Sequence, residues 1–141
     1  MTAFLDTSVL VAVFYGEHEH HAASIDLFLT LNTRTGCTAA HCLAEVYSVL
    51  TGMPGKNRVS PDEALLFLAD VRAALALVSL TSAEYSKAIA KAAALGISGG
   101  GIFDALLSQC ALKVNASALY TWNEKHFTRQ GAEVSAIVRR P

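Results

Sequence analysis

The sequence predicts one α/β domain, a central parallel sheet of four to five strands flanked by helices. Three observations lead there. Short apolar runs that suit buried strands alternate with longer segments of helical periodicity, the pattern of βαβ units and of a sheet covered on both faces. The 141 residues are 52% hydrophobic and 16% charged, enough apolar material for a packed core at a length that fits one domain better than two. Neither an internal repeat nor a linker interrupts the pattern, so residues 1–141 are expected to form a single domain.

Residues 2–6 read as a buried strand closing on an acid, and a short helix is expected from Thr7. A second helix is expected from about His18 to Leu31, followed by a strand over 35–38. A helix over 39–51 places Leu43, Val46, Tyr47 and Leu50 at i, i+3, i+4, i+7, which is one helical face. Glycine and proline make 52–59 a loop. Ser60 can then cap a helix, with Pro61 at its first position and Glu63 completing a capping box. Residues 75–80 suit a buried strand. Thr81 with Glu84 repeats the capping pattern and opens a helix carrying Tyr85, Ala88, Ile89 and Ala92 on one face. Gly99-Gly100-Gly101 breaks the chain. Beyond it come a helix over 102–114, with Ile102, Phe103, Leu106, Leu107, Cys110 and Val114 on one face, and a strand over 117–121. A short helix or turn over 123–129 and a weak last strand over 133–137 complete the expected order.

Composition narrows the function classes. Eleven basic residues against 12 acidic ones give a net charge of −1, so any grip on nucleic-acid phosphates has to be local. Cys37, Cys42 and Cys110 form no C-x-x-C pair and are odd in number. They read as small buried hydrophobes rather than a disulfide framework. No apolar run reaches the roughly 18 residues of a membrane helix. The apolar stretch 9–15 is preceded by Asp6 rather than by a basic region. A cytoplasmic protein without membrane association is expected. Mean hydropathy of +0.37 is high for a monomer and predicts a shared surface, a homodimer with room for a second protein partner.

Ligands of such a sheet bind beyond the carboxyl ends of its strands, and several polar residues have a route to that rim. Asp6 ends the first strand, Asn123 follows the fourth, Asp104 opens the helix leading into the fourth, and Glu45 lies on the helix after the second. Each also has a plain structural reading. Asp6 fits a helix cap before Thr7 and Ser8, Asp104 suits the positive end of a helix, and Glu45 with His41 and Ser48 would make a solvated face. Small Ser108 and Ala111 on the side of Asp104 would leave space for a cleft. Other motifs lead nowhere. The three glycines at 99–101 lack the G-x-G-x-x-G setting, and Gly52 to Lys56 lacks the Ser or Thr of a phosphate loop. In Glu17-His18-Glu19-His20-His21, His18 and His21 share a helical spacing without a further ligand set, so a solvated helix start is expected there.

The segments FLDTSVLVAVF, TAAHCLAEVYSVL and GGGIFDALLSQCALKVNASALYTWNEKHF, in this order, resemble PIN-domain proteins of the VapC toxin type over nearly the whole chain, from Phe4 to Phe127. The resemblance implies a PIN-like fold. It also implies a metal-dependent endoribonuclease, the toxin of a toxin–antitoxin pair, using Mg2+ or Mn2+. The expected reaction is hydrolysis of RNA phosphodiester bonds by a cation-activated water, leaving 3′-hydroxyl and 5′-phosphate ends. It assigns the acidic cluster to Asp6, Glu45 and Asp104, with Asn123 at the position that is frequently Asp in the family. It also makes Ser8 and Thr121 hydrogen-bonding supports of the ligands. Asn123 offers a neutral amide rather than a carboxylate, which weakens the case for a second metal. The chemistry agrees with the cluster, since converging carboxylates repel one another and a hard divalent cation relieves that repulsion. Either Asp6 or Asp104 fits the anchor of the ion, and Glu45 fits a ligand or an orienter of the water.

Lys56 and Arg58 in the loop, and Lys125, His126 and Arg129 after Asn123, are candidate RNA contacts. Trp122 fits a base-stacking residue or a core or interface aromatic. The implied partners are RNA, a cognate antitoxin and a second copy of the chain. The alternative is a PIN-like module that binds RNA or antitoxin without cutting. Receiver-like and haloacid-type phosphotransfer folds fit badly. Asp6-Thr7-Ser8 is not Asp-x-Asp, and the third strand ends at Leu80-Thr81 rather than at an aspartate.

Overall fold

A computed structural model describes residues 2–141. In chain order it contains β1 (Ala3–Leu5), α1 (Thr7–Phe14), α2 (His21–Leu29), β2 (Gly36–Ala39), α3 (Ala40–Gly52), α4 (Pro61–Ala74) and β3 (Ala76–Val78). These are followed by α5 (Ser82–Ala94), α6 (Gly101–Lys113), β4 (Ala118–Tyr120), α7 (Glu124–Thr128), α8 (Ala132–Ser135) and β5 (Val138–Arg139). One 3-10 turn, Gly55–Asn57, sits in the predicted loop.

All five strands are parallel, in the order β3-β2-β1-β4-β5. Each strand is therefore joined to the next through helices, and the inner strands have to be buried on both faces. The sequence of β1 meets that requirement. Ala3 and Leu5 point into one core with Val9, Leu10, Val46, Leu50 and Val71. Phe4, between them, points into the other with Leu107, Leu119, Phe127 and Val134. Thr38, the polar residue of β2, is fully buried and donates its hydroxyl to the Leu5 carbonyl at 2.7 Å. The chain runs outward from β1 through β2 to β3 and then returns to place β4 on the other side of β1. That reversal makes the carboxyl ends of β1 and β4 the crevice of the sheet.

The capping signals act as expected, with one difference. Thr81 and Glu84 form the full reciprocal box. Ser60 accepts the Glu63 backbone N–H, but Glu63 takes the Ser60 hydroxyl instead of its backbone N–H. Two element assignments need correction. The second helix begins at His21, because the His20 N–H turns back to His18 Nδ1 at 3.0 Å and closes a turn first. The last strand is not 133–137. Those residues begin as α8, entered through Gly131 at φ 113, and the strand is Val138–Arg139.

Two predicted apolar faces are only half right. Ala88 and Ala92 are buried while Tyr85 and Ile89 are exposed, and Phe103 stands half in solvent. Leu29, Leu65 and Leu66 are also exposed, so part of the apolar surplus lies on the surface. All three cysteines are free and buried, as expected of small hydrophobes. Among the described residues, no helix is long and apolar enough to cross a membrane.

Candidate active site

Asp6 is the first residue past the end of β1 and is only 4% exposed. Its Oδ1 accepts the Thr7 backbone N–H at 2.7 Å, so it does cap α1. Its Oδ2 does more, accepting the Ser8 hydroxyl at 2.9 Å and the Thr121 hydroxyl at 2.8 Å. Thr121 in turn accepts the Asn123 N–H at 2.9 Å, and Ser8 accepts the Trp122 N–H at 3.0 Å. These bonds tie the start of α1 to the segment after β4 and fix the direction of the carboxyl group. Hydrogen bonds to a carboxylate favour its charged form, but burial outweighs them and pushes the Asp6 pKa up.

Glu45 comes from the flank of α3, with its side chain 35% exposed, so it does not stand on a freely solvated face. Burial first, then repulsion from Asp6 and from Asp104, pushes its carboxyl up to about 7. Asp104 sits in the first turn of α6 above buried Ser108 and Ala111, and the Ser108 hydroxyl donates to its backbone carbonyl at 2.9 Å. Burial and the Asp6 charge raise its pKa, opposed by His126 and Arg129. His126 Nδ1 is 3.4 Å from Asp104 Oδ2. Arg129 lies over Gly101, where a Cβ would come within 2.8 Å of its guanidinium nitrogen. The bare glycine is what lets that cation approach the helix start.

Asp6, Glu45, Asp104 and Asn123 line one cavity of about 460 Å3 together with Thr7 and Ser8. Thr121 lies beneath it, fully buried against Asp6. Of the candidate RNA contacts, Arg129 stands near Asp104, and Lys125 lines a smaller cavity next door that shares Trp122 and Asn123 with the first. Lys56 and Arg58 lie elsewhere, exposed on the loop after α3, with Arg58 Nε donating to the Met53 carbonyl at 3.0 Å. The histidine run starts α2 and also borders the site, since His18, Glu19 and His20 line the same cavity as the acids. His18 accepts from His20, and His21 Nδ1 lies 2.8 Å from the Ala12 carbonyl.

Two side chains beside the acids, His41 and Thr7, have a place that the sequence reading does not give them, since His41 is expected there only as part of a solvated face. His41 shares the Glu45 side of α3, a signal visible at i, i+4, and its Nε2 lies 3.3 Å from Glu45 Oε1. Apart from that approach His41 Nε2 makes no hydrogen bond, and neither does Thr7 Oγ1. Burial lowers the His41 pKa. His41, Cys42 and Glu45 bring ligand-type atoms within 4.8 Å of one another, but burial pushes the Cys42 thiol up to about 12, which keeps it protonated and a poor ligand. The useful donors are oxygens. Asp6, Glu45 and Asp104 line one cavity and repel one another, but among the described residues they do not close into such a group of three, so a hard divalent cation there would be held partly through its own waters.

A parallel sheet with acids gathered at its reversal is shared by several classes of phosphate-handling protein. The PIN domain family model matches residues 3–132, and the chain belongs to that family. It is 36% identical over 114 residues to Ribonuclease VapC40 of Mycobacterium tuberculosis, covering 81% of each chain. Its fold is similar to that of Mycobacterium tuberculosis VapC20, described as a sarcin–ricin loop cleaving toxin. That likeness has a TM-score of 0.74 at 16% identity and covers 94% of this chain and 98% of the other. The fold is also similar to a chain in the crystal structure of VapBC2 from Rickettsia felis bound to a DNA fragment from their promoter. There the TM-score is 0.68 at 19% identity, with 99% and 98% covered.

Proposed function

We propose that this protein is a divalent-metal-dependent endoribonuclease, the toxin half of a toxin–antitoxin pair. The reading is carried by one observation: Asp6, Glu45 and Asp104, from three separate elements, meet at one cavity at the carboxyl ends of β1 and β4. Membership of the PIN family and the relation to Ribonuclease VapC40 support RNA as the substrate.

Asp6, Asp104 and Glu45 would hold Mg2+ or Mn2+, with Asn123 offering at most a neutral oxygen. When bound, the cation offsets charge on the phosphate and acidifies a water for in-line attack. The chain's own groups set the stage for that chemistry. Ser8 and Thr121 spend their hydroxyl protons on Asp6 Oδ2 and so aim that carboxylate. Glu45 has to give up its proton for the cavity to reach its full charge, and burial with Asp6 and Asp104 nearby places that event near pH 7. His126 and Arg129 balance Asp104 and stand where an RNA phosphate would need positive charge.

The partners follow the same reading. An antitoxin segment would mask the acids or the groove beside them, and the exposed Leu29, Leu65 and Leu66 support a surface shared with a second copy or with that antitoxin. The test is cleavage of RNA by the purified protein in Mg2+ or Mn2+. Activity should disappear with chelator and return when the ion is restored. Binding of RNA without cleavage under either ion would favour a non-catalytic PIN-like module instead.

A further inference from the structure

Trp122 lies outside the three acids, yet its indole is held from several directions. Its Nε1–H donates at 2.8 Å to the hydroxyl of Ser24, which is fully buried. Its backbone N–H is held by Ser8. The His20 imidazole stacks on one face, with ring centroids 3.8 Å apart and planes 6° from parallel. The Arg140 guanidinium carbon lies 5.8 Å from the indole centroid. Since His20 fills the first face at contact distance, Arg140 stands over the second. Trp122 and Arg140 also wall a separate cavity of about 260 Å3, together with Asn123, Glu124, Lys125 and His126.

A tryptophan kept only for the core would bury both faces. This one is partly exposed, with His20 against one face, Arg140 over the other, and Glu124 and Lys125 in the lining of the cavity beside it. An aromatic face beside cations is how proteins hold single-stranded nucleic acid, with the ring taking a base and the charges taking the backbone. Trp122 and Asn123 line both this cavity and the acidic one, so the two are contiguous. A strand with its phosphate over Asp6 and Asp104 would lay an adjoining nucleotide here.

We propose that the outer face of Trp122, the one Arg140 covers, is with Lys125 and Arg140 a nucleotide subsite that stacks one unpaired base of the RNA beside the scissile phosphate. The proposal rests on the ribonuclease reading and deepens it, because a base that must leave its helix to stack limits the substrate to RNA that is unpaired at the cut. Trp122 touches the base, whereas His20 and Ser24 are positioning residues that hold the indole plane. A base between two planes needs roughly twice the 3.8 Å of the His20 stack. Arg140 stands nearer than that, at 5.8 Å. It therefore swings aside on entry and meets the phosphate, leaving its 2.7 Å contact with Glu124.

Short RNA oligomers of mixed sequence, with one abasic ribose moved through each position, test this on the wild-type protein in Mn2+. Loss of the base at one position next to the cut should raise KM about tenfold or more, the size of one base–aromatic stack, with kcat little changed. Trp122→Ala should erase that discrimination and Trp122→Phe should restore part of it. Trp122 is the chain's single tryptophan, so quenching of its fluorescence by the intact oligomer in Ca2+, and not by the abasic one, reads the stack without cleavage. Cleavage indifferent to every abasic position overturns the subsite and leaves the ribonuclease standing. Base-dependent quenching without cleavage in Mg2+ or Mn2+ overturns the ribonuclease and keeps an RNA subsite. Absence of both overturns both.

Discussion

Thr121→Val replaces one hydroxyl by a methyl group of nearly equal size at a fully buried position. Three polar contacts are lost, the 2.8 Å donation to Asp6 Oδ2, the 2.9 Å acceptance of the Asn123 N–H and a longer 3.3 Å approach to the Ser8 hydroxyl, whose own proton is held by Asp6. A hydrogen bond to a charged group contributes about 1.5–3 kcal/mol and a neutral one about 1 kcal/mol. Asn123 is exposed, so water can take over its N–H, and the expected loss is that of the charged bond, about 1.5–3 kcal/mol. For a chain of this size that lowers Tm by roughly 4–10 °C. The Thr121 bond also lowers the Asp6 pKa. Its removal should raise that pKa further, and because the cation needs Asp6 ionised as well as Glu45, the acid side of the cleavage profile should move to higher pH. Thermal unfolding with and without Mn2+, and a pH profile of RNA cleavage, measure both effects. Thr121→Ser, which keeps the hydroxyl, should recover most of each. A Thr121→Val protein with wild-type Tm and an unmoved profile would refute the claim that Thr121 holds and tunes Asp6.

The remaining predictions are briefer. With Mn2+ held below saturation, so that the ion does not itself strip the proton, cleavage should rise with pH through about 7 as Glu45 loses its proton, and a profile flat from pH 6 to 8 under that condition would remove Glu45 from the loading of the cation. In chelator the sign of stability reverses. The folded protein holds the Glu45 proton more tightly than the unfolded chain, so Tm should fall as pH climbs from the ordinary value of 4.5 to about 7. Asn123→Asp adds a carboxylate to the cavity, and calorimetric titration should show Mn2+ binding tightened several-fold. Unchanged affinity would mean that position 123 does not face the ion. Ser60→Ala removes the acceptor of the Glu63 N–H and should cost about 1 kcal/mol. Cleavage per folded molecule should stay as it was.

Much of the architecture is legible in the sequence because it rests on local rules. The run Ala3–Leu5 has to be a buried strand because nothing in it can face water, and Thr81 with Glu84 announces α5 through bonds spanning only three residues. The C-terminal end is less legible. A four-residue helix and a two-residue strand are too short to show a period, and Val138 becomes a strand residue only by pairing with Leu119. The acids are legible only through family resemblance, since singly Asp6 reads as a cap, which it also is. What joins them is long-range. Thr121 bonds to Asp6 across 115 residues, and Trp122 to Ser24 across 98. Pairings at that distance leave no mark in local spacing. The His20–Trp122 stack and the approach of His126 to Asp104 belong to the same class and emerge only once the sheet has brought its carboxyl ends together.

The account depends on Asp6, Glu45 and Asp104 sharing one divalent cation. The most direct measurement is anomalous diffraction from crystals of the wild-type protein and of Asp104→Asn grown with Mn2+. A single strong peak bounded by the three carboxylates, present in the wild type and absent or much weakened in the variant, is the predicted result. A wild-type map with no peak there, or with its manganese held by other residues, would contradict the account.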